Sequence, residues 1–107
     1  MRKLGPGRYL AKAGEELSVK ADEHGTAFAV GYSLNGFKDT MIDNTPLTFK
    51  AVQNPTILVL AAGFSGASGG RYDVTIKGNP AEDEDHDHLD QIGNSKIDIH
   101  EYHFTIA

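Results

Sequence analysis

The chain has 107 residues, of which 39% are hydrophobic and 23% are charged, and it contains no cysteine. This length supports one hydrophobic core and predicts one domain spanning residues 1–107. The lack of cysteine excludes disulfide scaffolds, thiolate zinc sites and cysteine nucleophiles. The longest apolar run, residues 57–62, is far shorter than the roughly 20 residues of a membrane-spanning helix. No signal peptide is visible at the start, so we expect a soluble chain, cytoplasmic by default, with no membrane partner.

The net charge of −5 is concentrated in one segment. Residues 82–90 hold six carboxylates and no Lys or Arg, which leaves a net charge of about +1 on the rest of the chain. The ten Lys and Arg side chains are scattered and form no basic stripe. We therefore expect no nucleic-acid partner.

Apolar and polar residues alternate with a period of two through most of the chain, which predicts an all-β fold. The alternation on either side of residues 14–16 predicts a first hairpin with a short polar turn. The dipeptide Asn35-Gly36 predicts a two-residue type I′ turn, because it adopts positive φ at both positions at little steric cost. The resulting register pairs Leu34 with Phe37, Tyr32 with Asp39, Val30 with Met41 and Phe28 with Asp43.

The other face of the strand before that turn carries only small side chains, namely Ala27, Ala29, Gly31 and Ser33. Such a face is typical of an exposed surface or of close approach by something flat, and packing of an adjoining chain segment is the commoner cause.

Residues 47–51 and 56–62 flank a turn at residues 53–55 and predict a second hairpin. The run 57–62 is apolar on both faces, which predicts a deeply enclosed strand in the centre of its sheet, with a short buried helix as the alternative. Residues 71–77 predict another alternating strand. The phase then changes between Ile99 and Tyr102, which predicts a bulge or bend near His100.

About seven strands with these turn signals predict a small antiparallel β-sandwich, and a small β-barrel is the alternative. The acidic segment is predicted to be a His-containing loop at residues 81–96. Six neighbouring carboxylates are typical of a hydrated connector between two strands. The segment is also a candidate recognition surface for a basic protein partner.

The same loop is the candidate metal site. Carboxylates suit Ca²⁺ and imidazoles suit Zn²⁺ or Ni²⁺, so the mixture selects no single metal. Binding should be weak, because ordering a flexible segment costs about 1 to 2 kcal/mol per residue. Residues His100 and His103 could share an ion only if the predicted bulge turned them to one face. The candidate ligands are Asp83, Asp85, His86, Asp87, His88, His100 and His103.

No catalytic constellation stands out in the sequence. Residues 63–67 approach the nucleophile elbow of hydrolases, but the last position is alanine and no helical pattern follows. We interpret the chain as a non-catalytic binding or interaction module of unknown ligand, a monomer or a weak homo-oligomer, with the acidic and histidine-bearing loop as its most distinctive surface. The alternative is a metal-binding protein or a metal-dependent hydrolase that uses the loop histidines.

Overall fold

The computed structural model describes residues 1–24, 27–41, 45–79 and 84–106. This part of the chain forms ten strands, two of which, β1 and β9, the sequence did not predict. The strands are β1 (Arg2–Gly5), β2 (Arg8–Ala11), β3 (Glu16–His24), β4 (Ala27–Leu34), β5 (Phe37–Met41), β6 (Leu47–Lys50), β7 (Thr56–Phe64), β8 (Arg71–Asn79), β9 (Glu84–Asp90) and β10 (Ile97–Ile106).

The strands form two sheets, which confirms the predicted β-sandwich over the barrel alternative. One sheet has six strands in the order β1-β2-β10-β7-β4-β5, and the other has four in the order β6-β3-β8-β9. Neighbouring strands are antiparallel except β2 and β10, which are parallel. Strand β7 lies inside the larger sheet between β10 and β4, as its apolar run predicted.

Inward side chains from both sheets meet in one core. The ring of Phe104 on β10 stacks on Tyr9 of β2 with a centroid distance of 5.1 Å. The same ring meets Phe49 of β6 edge-on at 5.6 Å. Strand β6 belongs to the smaller sheet, so this aromatic trio ties the two layers together.

The predicted β4–β5 hairpin is confirmed over the described residues. Asn35 has φ 49° and Gly36 has φ 91°, and the register pairs Leu34 with Phe37 as predicted. The pairs Tyr32–Asp39 and Val30–Met41 also form. The predicted partner of Phe28, Asp43, lies outside the described residues.

The other two predicted hairpins are wrong. Strand β2 pairs with β1 and β10 in the larger sheet, whereas β3 pairs with β6 and β8 in the smaller one. Strands β6 and β7 are likewise in different sheets. The two connections cross between the layers and bond to each other, with Gly14 N–H donating to the Ala51 carbonyl oxygen at 2.9 Å. The alternation of polar and apolar residues does not predict these crossings, because a strand with one apolar inward face can belong to either sheet.

The predicted bulge near His100 is also wrong. Strand β10 pairs with β7 in one continuous register from Ile97 to Phe104. Ile97 and Ile99 point outward and are 62% and 59% exposed, while Asp98 and His100 take the inward phase. The change of phase in the sequence therefore reflects polar residues at inward positions and apolar residues at outward ones.

The predicted loop at residues 81–96 is wrong over residues 84–90, which form β9. This strand pairs with β8 along its whole length. Leu89 is fully buried, and Asp85 and Asp87 share its inward phase. The alternation was concealed because carboxylates stand at two of the three inward positions, where apolar side chains are usual.

Candidate functional site

Two aspartates of β9 lie between the sheets, where this strand faces β2 and β10. The hydroxyl of Tyr9 donates to Asp85 Oδ2 at 2.5 Å, and the hydroxyl of Tyr102 donates to Asp87 Oδ2 at 2.7 Å. His100 Nδ1 lies 2.9 Å from the same Asp87 oxygen. We call these five side chains the polar seam. It attaches β9, an edge strand of the smaller sheet, to the larger sheet.

Charged groups flank both ends of the seam. Lys3 Nζ lies 3.0 Å from Asp85 Oδ1. His100 Nε2 lies 3.4 Å from Asp98 Oδ2, and that oxygen also accepts the Asp90 N–H at 2.9 Å. The carboxylates of the seam are thus surrounded by donors, as groups taken out of water require.

The seam shifts the pKa of its acidic groups in opposite directions. Burial alone would raise the pKa of Asp85 and Asp87, but the hydrogen bonds they accept outweigh it and hold both pKa values below the ordinary range. Burial, reinforced by the neighbouring carboxylates, raises the pKa of Tyr9 and Tyr102 far above the ordinary value. At neutral pH the seam therefore consists of ionised aspartates that accept hydrogen bonds from neutral tyrosines.

The lowered aspartate pKa values predict a loss of stability in acid. In the unfolded chain Asp85 and Asp87 titrate near their ordinary value of 3.8. The seam's contribution is therefore complete above that pH and is lost as the pH falls through the lower folded-state values. Urea unfolding measured from neutral pH down into this range should show that acid lowers the free energy of unfolding less in an Asp85→Asn, Asp87→Asn variant than in the wild type. An equally large loss in that variant would contradict the assignment.

The candidate metal ligands on β9 point to two sides of the strand. Asp85 and Asp87 face inward and belong to the seam, whereas His86 and His88 have the opposite phase and are exposed. The carboxylates and imidazoles that were predicted to share one flexible loop therefore lie on opposite faces of the smaller sheet.

The histidines of β10 are divided in the same way. His100 faces inward into the seam, and His103 faces outward, with its Nε2 2.7 Å from Glu101 Oε1. Without the predicted bulge the two histidines do not share a face. Asp83 lies outside the described residues. Among the residues that the structure describes, no three His, Asp or Glu side chains are placed to hold a metal ion together.

The outer face of the larger sheet carries a different feature, an apolar depression. Two rows of paired residues cross it, Ile97–Gly63–Ala29 and Ile99–Ala61–Gly31–Thr40. The depression is shallow and open, has a volume of about 230 Å³ and is lined by Ala29, Gly31, Ala61, Ala62, Gly63 and Ile97. We call it the outer groove, and we call Ile97 and Ile99 the isoleucine ridge beside it.

The outer groove accounts for two sequence patterns that packing of the core does not explain, the small-residue face of β4 and the second apolar face of β7. The small residues Ala29, Gly31 and Ser33 form part of the outer face of β4, and the second apolar face of β7 lies next to it. Strand β7 is central in its sheet as predicted, but its outward residues remain partly exposed. Sequence reasoning missed the ridge because it interpreted the change of phase after Ile99 as a bulge in the strand.

Comparison with known proteins adds no further assignment. No known protein family, curated protein or solved structure matches this chain. Across the described ranges, no helix is long and apolar enough to cross a membrane.

Proposed function

We propose that this chain is a non-catalytic interaction module that binds its partner through the outer groove of the larger sheet. The observation that carries the proposal is the isoleucine ridge, whose two side chains are more than half exposed beside a floor of glycine and alanine. Contiguous apolar surface of this kind, rimmed by polar residues, marks interaction sites in soluble proteins. Here the rim includes Lys38, Thr40 and Glu101.

The acidic strand has a different role in this proposal from the one that its composition suggested. Asp85 and Asp87 accept hydrogen bonds from side chains of the larger sheet, so they are engaged within the fold. The outward residues of β9 leave a charged surface, but nothing in their arrangement selects a ligand. A metal-dependent hydrolase has less support, since His86 faces outward from the smaller sheet whereas His100 faces inward into the polar seam.

An apolar fluorescent dye, anilinonaphthalene sulfonate, tests whether the outer groove binds. We expect the folded protein to bind the dye and an Ile97→Thr, Ile99→Thr variant to bind it about tenfold or more weakly, because the two substitutions together remove on the order of 1.5 kcal/mol or more of apolar contact. Threonine keeps the β-branched shape and adds no charge.

The matched control is Val52→Thr, Ile92→Thr, because these two residues are 71% and 76% exposed and lie outside the groove. It should bind the dye like the wild type, and urea unfolding should verify that both variants fold. Equal loss of dye in the two variants, or no dye bound by the folded wild type, would refute the proposed function.

A further inference from the structure

We infer that the occupant of the outer groove is a second copy of this chain, seated in a two-fold symmetric dimer with the outer faces of the larger sheets in contact. This inference rests on the proposed function and adds the identity of the partner. Three features of the outer face support it: the placement of the ridge beside the groove, the distribution of charge at the rim, and the glycine at position 31.

The ridge and the groove are complementary to each other and lie side by side. The ridge stands on β10, and the floor of the groove is formed by the next two strands, β7 and β4. Adjacent strands are about 4.8 Å apart, so the ridge and the middle of the floor are separated by about 5 to 10 Å. A two-fold axis within the interface and parallel to the strands places each ridge in the groove of the other copy.

This rotation preserves the position along the strands, so the rows stay matched. Ile99 of one copy then lies over Ala61 and Gly31 of the other, since these three residues share a row. A branched side chain thus meets a floor with little or no side chain, which is the shape that close packing requires.

The charges at the rim fit the same rotation. The next row across the face runs Glu101–Val59–Ser33–Lys38, with the acid on β10 and the base on β5. In the dimer, Glu101 of one copy lies over Val59 and Ser33 of the other and within reach of its Lys38. Two such pairs form by symmetry. Glu101 also contacts His103 in its own chain, which holds its side chain on this face.

Gly31 provides an independent observation. It lies inside β4, and its φ is not among the positive values found at the turn glycines. Of the residues that the structure describes, a Cβ atom at this position would meet only the Asp39 carbonyl oxygen, at an ordinary contact distance of 3.8 Å. Glycine destabilises a strand relative to alanine, and none of the described residues of its own chain requires it here. Glycine inside a strand often marks the close approach of another backbone or ligand, and the dimer places Ile99 of the second copy there.

The expected dimer is weak. The four strands and the three rows named above cover a footprint of about 400 Å² per copy from standard strand spacings. This is less than the roughly 800 Å² per partner of a standard stable interface. We therefore expect the dimer to have a Kd on the order of tens to hundreds of micromolar.

Sedimentation velocity of the whole chain over a concentration series tests the inference. The wild type should shift from monomer to dimer as its concentration rises. A Gly31→Val variant should weaken the association about tenfold or more, because the new side chain fills the groove, and it should unfold at an equal or higher urea concentration because valine favours a strand. The Val52→Thr, Ile92→Thr variant should associate like the wild type.

A charge exchange tests the same geometry without filling the groove. Glu101→Lys and Lys38→Glu should each weaken the dimer, and the double variant should restore it. The inference is overturned if the wild type stays monomeric up to about 1 mM. It is also overturned if the wild type dimerises and none of Gly31→Val, Glu101→Lys and Lys38→Glu weakens the dimer. Dye binding that depends on the ridge, in a chain that stays monomeric, would leave the proposed function standing with a different partner. If dye binding does not depend on the ridge and the chain stays monomeric, both proposals are overturned.

Discussion

Above pH 10 the unfolding free energy of this protein should fall steeply, by up to about 2.7 kcal/mol per pH unit. The cause is the pair of buried phenols in the polar seam. Tyr9 and Tyr102 both have pKa values raised above the ordinary 10.0, because burial and the adjacent aspartates oppose ionisation. Each contributes a slope of about 1.4 kcal/mol per pH unit.

The sign follows from proton binding. Below pH 10 both the folded and the unfolded chain keep these phenolic protons, so the contribution to stability is complete. As the pH rises further, the unfolded chain releases its protons while the folded chain retains them. Each additional pH unit then favours unfolding until the raised folded-state pKa is reached. Urea unfolding at intervals from about pH 8 to about pH 11 measures the slope.

Single tyrosine variants separate the two contributions. Tyr9→Phe and Tyr102→Phe should each reduce the slope by about 1.4 kcal/mol per pH unit. Tyr32→Phe is the matched control, because Tyr32 lies outside the seam, and it should keep the full slope. If neither seam variant changes the slope, the two phenols do not control alkaline unfolding.

Replacement of Asp87 by alanine should lower the unfolding free energy by about 2 to 4 kcal/mol. The variant removes the acceptor of the Tyr102 hydroxyl and the partner of His100 Nδ1. Tyr102 is 1% exposed, so its hydroxyl would be left with little access to water. Urea unfolding near neutral pH measures the change.

The control for Asp87→Ala is Asp90→Ala, the same substitution at an exposed position of the same strand. It should change the unfolding free energy by no more than about 0.5 kcal/mol. The interpretation of residues 81–96 as a solvated connector predicts the opposite sign for Asp87→Ala, because removing one of several like charges would relieve repulsion. The combined Asp87→Ala, Tyr102→Phe variant should cost less than the sum of the two single variants, since both remove the same hydrogen bond. An additive result would argue against that bond.

The sequence could predict those parts of the fold that depend on neighbours along the chain. The turn at Asn35-Gly36 is one example, because positive φ at both positions is a property of these two residues and fixes the pairing on either side. The central place of β7 was also predictable, since an apolar run with two apolar faces does not suit an edge. Much less of the candidate site was predictable. Asp85, Asp87 and His100 were selected as candidate metal ligands, but no sequence pattern pairs them with Tyr9 and Tyr102.

By itself, the sequence determined that this chain forms strands, because alternating polarity with a period of two is satisfied by a pleated backbone and by no helix. It also determined that acidic charge is concentrated in one segment. Only the tertiary structure decided which sheet each strand joins, and this order brings Tyr9 and Tyr102 to the aspartates of β9. It likewise decided that Ile99 stands outside, beside Gly31. The physical reason is that these contacts join residues far apart in the chain, and the polarity of a strand records which residues share a face but not which strand lies opposite.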